Sequence, residues 1–510
     1  MPLRPLNREQ SWLLPPTIDE LIADDHPARF VASVVDSLNS AFWEKMKVVV
    51  EGDPLGAPAY HPRALLCVWL YGFMTGIRSS RKLEAACRDQ ISFLWLTGWQ
   101  RPDHNTLWRF YKAHRNEMHH LFKLTVKTAV KMKLVDLAVQ AIDGSKLAGN
   151  ASKERTYDGK GLMKLLERTD KVIQELEEEN EFGNDAPPAR LPENLRKAEQ
   201  LKAEVKTAIE ELTEEGRKRI NLTDADTELM KGRQGYVADY NLEAVVSPLK
   251  TEETKKTGLL LMAVDVVTNA SDAGQLIPML EQSEENTGKK ADMSLADGGF
   301  HSGDNLVKCE KREQLIVMPE VQGKALQNPY HKDNFIYDEA SDSYRCPLGQ
   351  TLKYVKSEIH RHTLMRLYRG TGAVCRACSA FGTCTTDRHH GRVLQIGDYE
   401  GALRRHREWM ATAEAKQAYK QRKELIEPVF GIIKEVMGIR RFLLRGLKNV
   451  QAEAALLGTA FNLRTLYGVW KALVMGKRKK LLITLRNQGE IPAHKSSFLP
   501  SFQKYRLIVA

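Results

Sequence analysis

The chain is poor in cysteine, with seven in 510 residues, unevenly placed. That excludes the disulfide-dense scaffold of a small secreted domain and makes a reducing cytoplasm the simplest setting. It also lacks a long apolar run. No stretch approaches the roughly 18 consecutive apolar residues of a membrane span, and the N-terminal MPLRPLNREQSWLLPP has no apolar signal core. Nor is there an acidic excess: the formal net charge is +11 and the pI about 9.1. Such a balance favours a polyanionic partner and points to nucleic acid. What is there is a soluble globular composition, 42% hydrophobic and 28% charged. The length exceeds one ordinary core, so several domains or insertions are expected.

Residues 1–130 read as an all-helical domain. TIDELIADDHPARFVASVVDSLN predicts a capped amphipathic helix with Ile22, Phe30, Val31, Val34 and Val35 on its apolar side. The almost wholly apolar ALLCVWLYGFMTG is the expected central helix. SSRKLEAACRDQ has a serine start, and Asp103 is placed to cap NTLWRFYKAHR. Short helices joined by tight turns resemble a helix-turn-helix arrangement. Arg78, Arg81, Lys82 and Arg88 cluster there, so this region is the expected DNA-contacting surface.

The pattern then changes to that of an α/β core, in residues 131–152 and 221–325. LVDLAVQAID reads as a strand ending in Asp143, and YNLEAVVSP, GLLLMAVDVVT, MSLAD and QLIVMPE read as further strands. Helices QLIPMLEQSEE, with Asp272 as its cap, and SGDNLVKCEKRE fall between them. Residues 153–220 interrupt this order. Leu162, Leu165, Leu166, Val172, Ile173 and Leu176 recur at helical spacing, as do Leu195, Ala198, Leu201, Val205, Ile209 and Leu212. FGNDAPPARLP separates the two runs, predicting an antiparallel helical hairpin whose ELEEENE stretch is a solvated face. A second, cysteine-rich insertion occupies 326–402. Core helices return over 403–470, and 471–510 forms a basic tail containing Lys477, Arg478, Lys479 and Lys480.

Three acids stand out. Asp143 is followed by Gly144 and Ser145, Asp297 by Gly298 and Gly299, and Glu427 lies in KELIEPVFGIIK. Rigid strands can aim carboxylates, and glycines allow close approach to the backbone. Three such acids can hold two divalent metal ions, as in-line attack on a phosphodiester requires. Glu427 and Lys434 are seven residues apart and share a helical face. Tyr419 and Arg422 lie one or two turns upstream, and Pro428 predicts a kink or a helix restart beside the acid.

These motifs resemble the DDE transposases of bacterial insertion sequences, in the group with a Tyr-Arg-Glu-Lys signature around the third acid. HPRALLCVWLYGFMTGIRSSRKLEAACRD and PDHNTLWRF look like that group's helical DNA-binding region. TDADTELMKGRQGYVADYN, LADGGFHSG and IEPVFGIIKEVMGIRRFLLRG look like pieces of its catalytic domain. The resemblance covers roughly residues 5–470 and implies a ribonuclease-H-like catalytic core. It implies Asp143, Asp297 and Glu427 as the catalytic acids, holding two Mg2+ or Mn2+ ions. Tyr419, Arg422 and Lys434 match the signature in order and are implied at DNA phosphates. Four residues, not the usual three, separate Arg422 from Glu427. The implied activity is cleavage at terminal inverted repeats and transfer of the 3′-OH into target DNA, with a homodimer on the synapsed ends. A non-mobile nuclease of the same fold, or a DNA-binding descendant without catalysis, would share these features. His301, four residues past Asp297, is placed either at the scissile phosphate or at a helix start.

Cys346, Cys375, Cys378 and Cys384 fall within one short segment, separated by twenty-eight, two and five residues. Thiolates so arranged suit a tetrahedral zinc in a small ribbon, with His389 or His390 as substitute ligands. Cys67 and Cys87 read as buried helix residues.

Overall fold

The structure, a computed structural model, describes residues 16–46, 59–181, 193–232, 235–250, 258–320, 328–360 and 363–487. The first apolar stretch is not one helix. A 3-10 turn spans Ile18–Leu21, and the α-helix begins only at Pro27–Asp36. Pro27 explains the break: it has no N–H to donate backwards, while its fixed φ suits a first helical turn. Pro62–Thr75 is the centre of the region, with every residue from Leu65 to Met74 buried. Helices Ser80–Asp89, Ile91–Leu96, His104–Ala113 and Arg115–Lys131 surround it. Ser79 and Asp103 cap as expected, accepting from the amides of Lys82 at 3.2 Å and Thr106 at 2.8 Å.

A six-stranded mixed sheet forms the second layer. Val139–Ala148 lies inside it, antiparallel to Gly235–Pro248 on one side and parallel to Met293–Leu295 on the other. Leu315–Val317 continues the parallel edge. Leu259–Val267 pairs antiparallel with the later part of Gly235–Pro248, and Glu228–Gly232 with its beginning. The acid-rich helix Leu276–Thr287 and the helix Ala413–Gly431 both pack on this sheet.

Helical region and sheet share one continuous hydrophobic core, from Ala28 and Phe30 through Val264 to Phe461 and Val469. The connecting element is the long helix Leu447–Asn487, which contacts Pro62–Thr75, Arg115–Lys131 and the strand Leu259–Val267. Close packing requires Gly458 in that helix, since a Cβ there would meet Phe122 and Val264 at 2.9 Å. Residues 471–487, read from sequence as tail, continue this helix; 488–510 lie outside the described residues.

Two further segments have small cores of their own. Gly159–Glu181 and Glu193–Glu214 pack on each other around Leu162, Val205, Ala208 and Ile220. Val172, expected inside, is exposed, while its neighbour Ile173 is buried. The cysteine-rich segment is more than a small ribbon. Strands Ile336–Asp338, Ser343–Arg345, Thr351–His360, Thr363–Arg369 and Val393–Gly397 form a five-stranded antiparallel sheet. Phe335, Tyr344, Leu352, Tyr368, Leu394 and Ile396 fill its core. Among the described residues no helix is long and apolar enough to cross a membrane.

Candidate active site

Parallel pairing aligns Ala141 with Leu295, so Asp143 and Asp297, each two residues further on, emerge side by side. Asp143 does not end its strand. Val139–Ala148 continues past it, supported by the antiparallel neighbour in which Ala244 opposes Asp143. What ends near Asp143 is the parallel half of the sheet, because Met293–Leu295 is short. Asp297 caps a 3-10 turn, its Oδ1 accepting from the Gly299 amide at 2.7 Å.

A guanidinium lies between the two acids. Arg422, on Ala413–Gly431, is 7% exposed, with Nη2 2.8 Å from Asp143 Oδ2 and 3.8 Å from Asp297 Oδ2. Burial pushes the Asp143 carboxyl up to about 6; the Arg422 charge opposes this and Asp297 reinforces it. The helix therefore presents Arg422 to the acids rather than to an open phosphate surface. Glu427 is exposed. Five residues beyond Arg422, it sits about 140° further round the helix, so the two cannot point the same way. Lys434 donates to Ser145 Oγ at 2.7 Å and to the Lys146 carbonyl at 3.3 Å. Tyr419 packs half-buried against the core. Pro428 does not restart the helix, which runs unbroken from Ala413 to Gly431. Leu425, Ile426 and Val429 anchor it on the core, and the irregularity falls later, in a π-turn over Ile432–Val436.

Gly144 faces the opposite side of the strand from Asp143. A Cβ there would meet Glu243 Oε1 at 2.9 Å, Asn241 Oδ1 at 3.0 Å and Asp272 Oδ1 at 3.0 Å. The missing side chain makes room for these polar groups rather than for a turn. Asn241 Nδ2 donates to Glu243 Oε1 at 2.8 Å and to Asp272 Oδ1 at 2.6 Å. Glu243 is fully buried, and its Oε2 has no hydrogen-bond partner. Burial, with Asp272 and Asp143 nearby, pushes its carboxyl up to about 9. Asp272 does not cap a helix with its side chain, contrary to the sequence expectation; it reaches into this group, its Oδ2 3.3 Å from where a Cβ on Gly299 would stand. Asn241 and Glu243 escaped sequence reading. Two polar residues at i and i+2 in a buried strand share a face, and that spacing was the available signal.

Of the basic residues expected at DNA, Arg78 is elsewhere. Its Nη1 lies 3.1 Å from Glu453 Oε1, in an ion pair whose side chains are 9% and 3% exposed, and also donates to the Arg441 carbonyl. It ties the helical region to the long C-terminal helix, because a buried carboxylate commands a guanidinium more strongly than solvent does. Arg81, Lys82 and Arg88 are exposed on Ser80–Asp89. His301 stands half-buried beside His406, ring centroids 5.8 Å apart, and its Nε2 has no partner.

Cys346, Cys375, Cys378 and Cys384 line a single pocket at one end of the five-stranded sheet. Backbone amides donate to three of the sulfurs: Gln350 to Cys346 at 3.2 Å, Ala380 to Cys378 at 3.5 Å and Arg392 to Cys375 at 3.4 Å. His389 and His390 lie instead with Asp387, whose Oδ1 accepts both of their backbone amides. Among the described residues no three His, Cys, Asp or Glu side chains stand at metal-coordinating spacing.

Two family models match the chain. Residues 16–113 match one described as a transposase domain (DUF772), and residues 345–467 match one described as a transposase DDE domain. No curated protein and no solved structure matches.

Proposed function

We propose that this chain, on those matches a DDE transposase of an insertion-sequence type, cuts phosphodiesters at the ends of its element and joins the freed 3′-OH to target DNA. Asp143, Asp297 and Glu427 are its acids in this reading. The observation that carries it is Asp143 beside Asp297 at the end of a parallel strand pair, with a buried cation already between them. Four antiparallel strands, one of them the short Glu228–Gly232, joined to two short parallel ones, support a ribonuclease-H-like core.

Carboxylate oxygens are the donors that Mg2+ and Mn2+ prefer, and the guanidinium at Asp143 and Asp297 marks a place that demands positive charge. Ions bound there by the three acids would supply Lewis acidity at the phosphoryl group and a more acidic water. The chain's own residues do the rest. Arg422 opposes the burial penalty on Asp143 and keeps it available as an anion. Lys434 holds the strand just beyond Asp143 through Ser145. In the first step a water oxygen attacks phosphorus and the bond to the 3′ oxygen breaks, which leaves a 3′-OH on the element end. That hydroxyl then attacks a target phosphodiester, again displacing a 3′ oxygen. Exposed Arg81 and Lys82 would contact DNA phosphates. The four thiols would hold a structural zinc, a reading supported by their shared pocket. Synapsis of two ends calls for two copies of the chain.

The test is an assay on duplex DNA carrying the inverted repeats that flank the gene, with Mg2+ or Mn2+. Wild type should cut and join. Asp143→Ala, Asp297→Ala and Glu427→Ala should do neither while still binding. Cleavage without joining would replace this reading with a nuclease; binding without cleavage would replace it with an inactive descendant.

A further inference from the structure

Residues 438–448, just past the π-turn Ile432–Val436, hold four cations and no acid. Arg440, Arg441, Arg445 and Lys448 are all exposed, whereas Ile439 and Phe442 among them are fully buried. The buried apolar pair pins the loop down and leaves the charges outside. Its backbone is fixed by distant segments. The Phe442 amide donates to the Ala148 carbonyl at 2.9 Å, and Asn150 Nδ2 to the Leu443 carbonyl at 2.8 Å. The amides of Leu443 and Leu444 donate to Glu453, and those of Gly446 and Leu447 to Asp224 and Asp226. A loop held this firmly loses little further freedom when a partner binds its side chains.

The loop also stands between the two regions already assigned to DNA. Ala148 lies five residues past Asp143 on the same strand, about 17 Å away at the rise of an extended chain. On the other side, Arg78 Nη1 donates to the Arg441 carbonyl at 3.1 Å, and Arg81 and Lys82 follow within four residues. Arg440 is paired with Glu435. Among the described residues Arg441, Arg445 and Lys448 have no carboxylate partner. Cations gathered without acids repel one another, and a polyanion relieves that cost. We propose that Arg441, Arg445 and Lys448 grip the phosphate backbone of the element-end duplex, about 5 base pairs inside the cut at 3.4 Å per step. The element side is implied because the loop leads from the acids to the helical region, and flanking DNA leaves the acids the other way. This rests on the transposase reading given above.

End duplexes with neutral methylphosphonates in place of phosphates test it. Arg441→Gln and Lys448→Gln should each weaken binding of the unmodified duplex several-fold and lower its salt dependence by about one counterion. Methylphosphonates about 5 base pairs inside the cut should weaken wild-type binding similarly and add nothing to either variant. Full additivity there, or the same coupling from methylphosphonates on the flanking side instead, overturns the inference and leaves the function standing. A wild-type chain that binds no end duplex overturns both. Because a variant can fail to fold, the unaltered chain provides a second measurement. Acetylation of Lys448 should slow when end duplex is bound, while exposed Lys206 on the helical hairpin reacts as before. Equal rates at Lys448 with and without DNA overturn the proposal.

Discussion

The Arg422 guanidinium lies 2.8 Å from the Asp143 carboxylate, with side-chain exposures of 9% and 19%. The pair joins the helix Ala413–Gly431 to the central sheet at the point where the proposed chemistry takes place. It therefore serves packing and electrostatics together, and removing one partner strands the other in a poorly solvated place.

Arg422→Met should lower stability by about 3 kcal/mol, the ordinary cost of breaking a buried pair from one side. DNA cleavage should fall with it, because Asp143 loses the charge that opposes its burial. Denaturant unfolding read by circular dichroism checks the first, and the cleavage assay the second. The double variant Arg422→Met with Asp143→Asn should recover part of the stability but none of the cleavage.

The pH dependence follows from the Gly144 face. Glu243 is raised from 4.5 to about 9, so the folded chain favours its neutral form. Its contribution to stability is fully present below 4.5 and is lost as pH rises through 9. Asp143, raised from 3.8 to about 6, acts in the same direction over its lower window. Metal-free protein should accordingly lose stability as pH climbs from 4.5 to 9. Thermal unfolding in chelator across that range should show a shallower fall in Glu243→Gln than in wild type.

The basic residues of the helical region should separate into two kinds. Arg78→Ala should cost about 3–5 kcal/mol of stability by leaving Glu453 buried and unpaired. Arg81→Ala and Lys82→Ala should leave stability nearly unchanged and weaken DNA binding for all sequences alike. Each should also reduce the slope of log affinity against log salt by about 1. Unfolding curves and salt-dependent binding titrations distinguish the two outcomes.

In the cysteine-rich sheet, one zinc per chain should be released when thiols are titrated with a mercurial under reducing conditions. Cys378→Ser should abolish that release and expose the Tyr344 and Tyr368 core, read as a shift in near-ultraviolet circular dichroism. The helical hairpin, with its separate core, should be unaffected.

Much of the architecture was legible because it depends on local pattern. Helices from Pro62 to Lys131, the strands around Asp143 and Asp297, and the helices Gly159–Glu181 and Glu193–Glu214 follow from apolar periodicity and from breakers such as FGNDAPPARLP. The misreadings share one cause. Arg78, Asp272 and Arg422 are polar residues whose partners, Glu453, Asn241 and Asp143, lie far away in the chain. Periodicity says whether such a residue faces a core or solvent, but not which opposite charge waits there.

Taken alone, the sequence determined most of the core helices and strands, that the chain is basic, and which acids follow apolar runs. Those properties are set by neighbours a few residues apart. Only the tertiary structure decided that Asp143 and Asp297 stand side by side, that Arg422 fills the space between them while Glu427 faces outward, and that Gly144 admits Asn241, Glu243 and Asp272 on the other face. These relations depend on strand register and helix rotation, and both are fixed by burying one shared core across the whole chain.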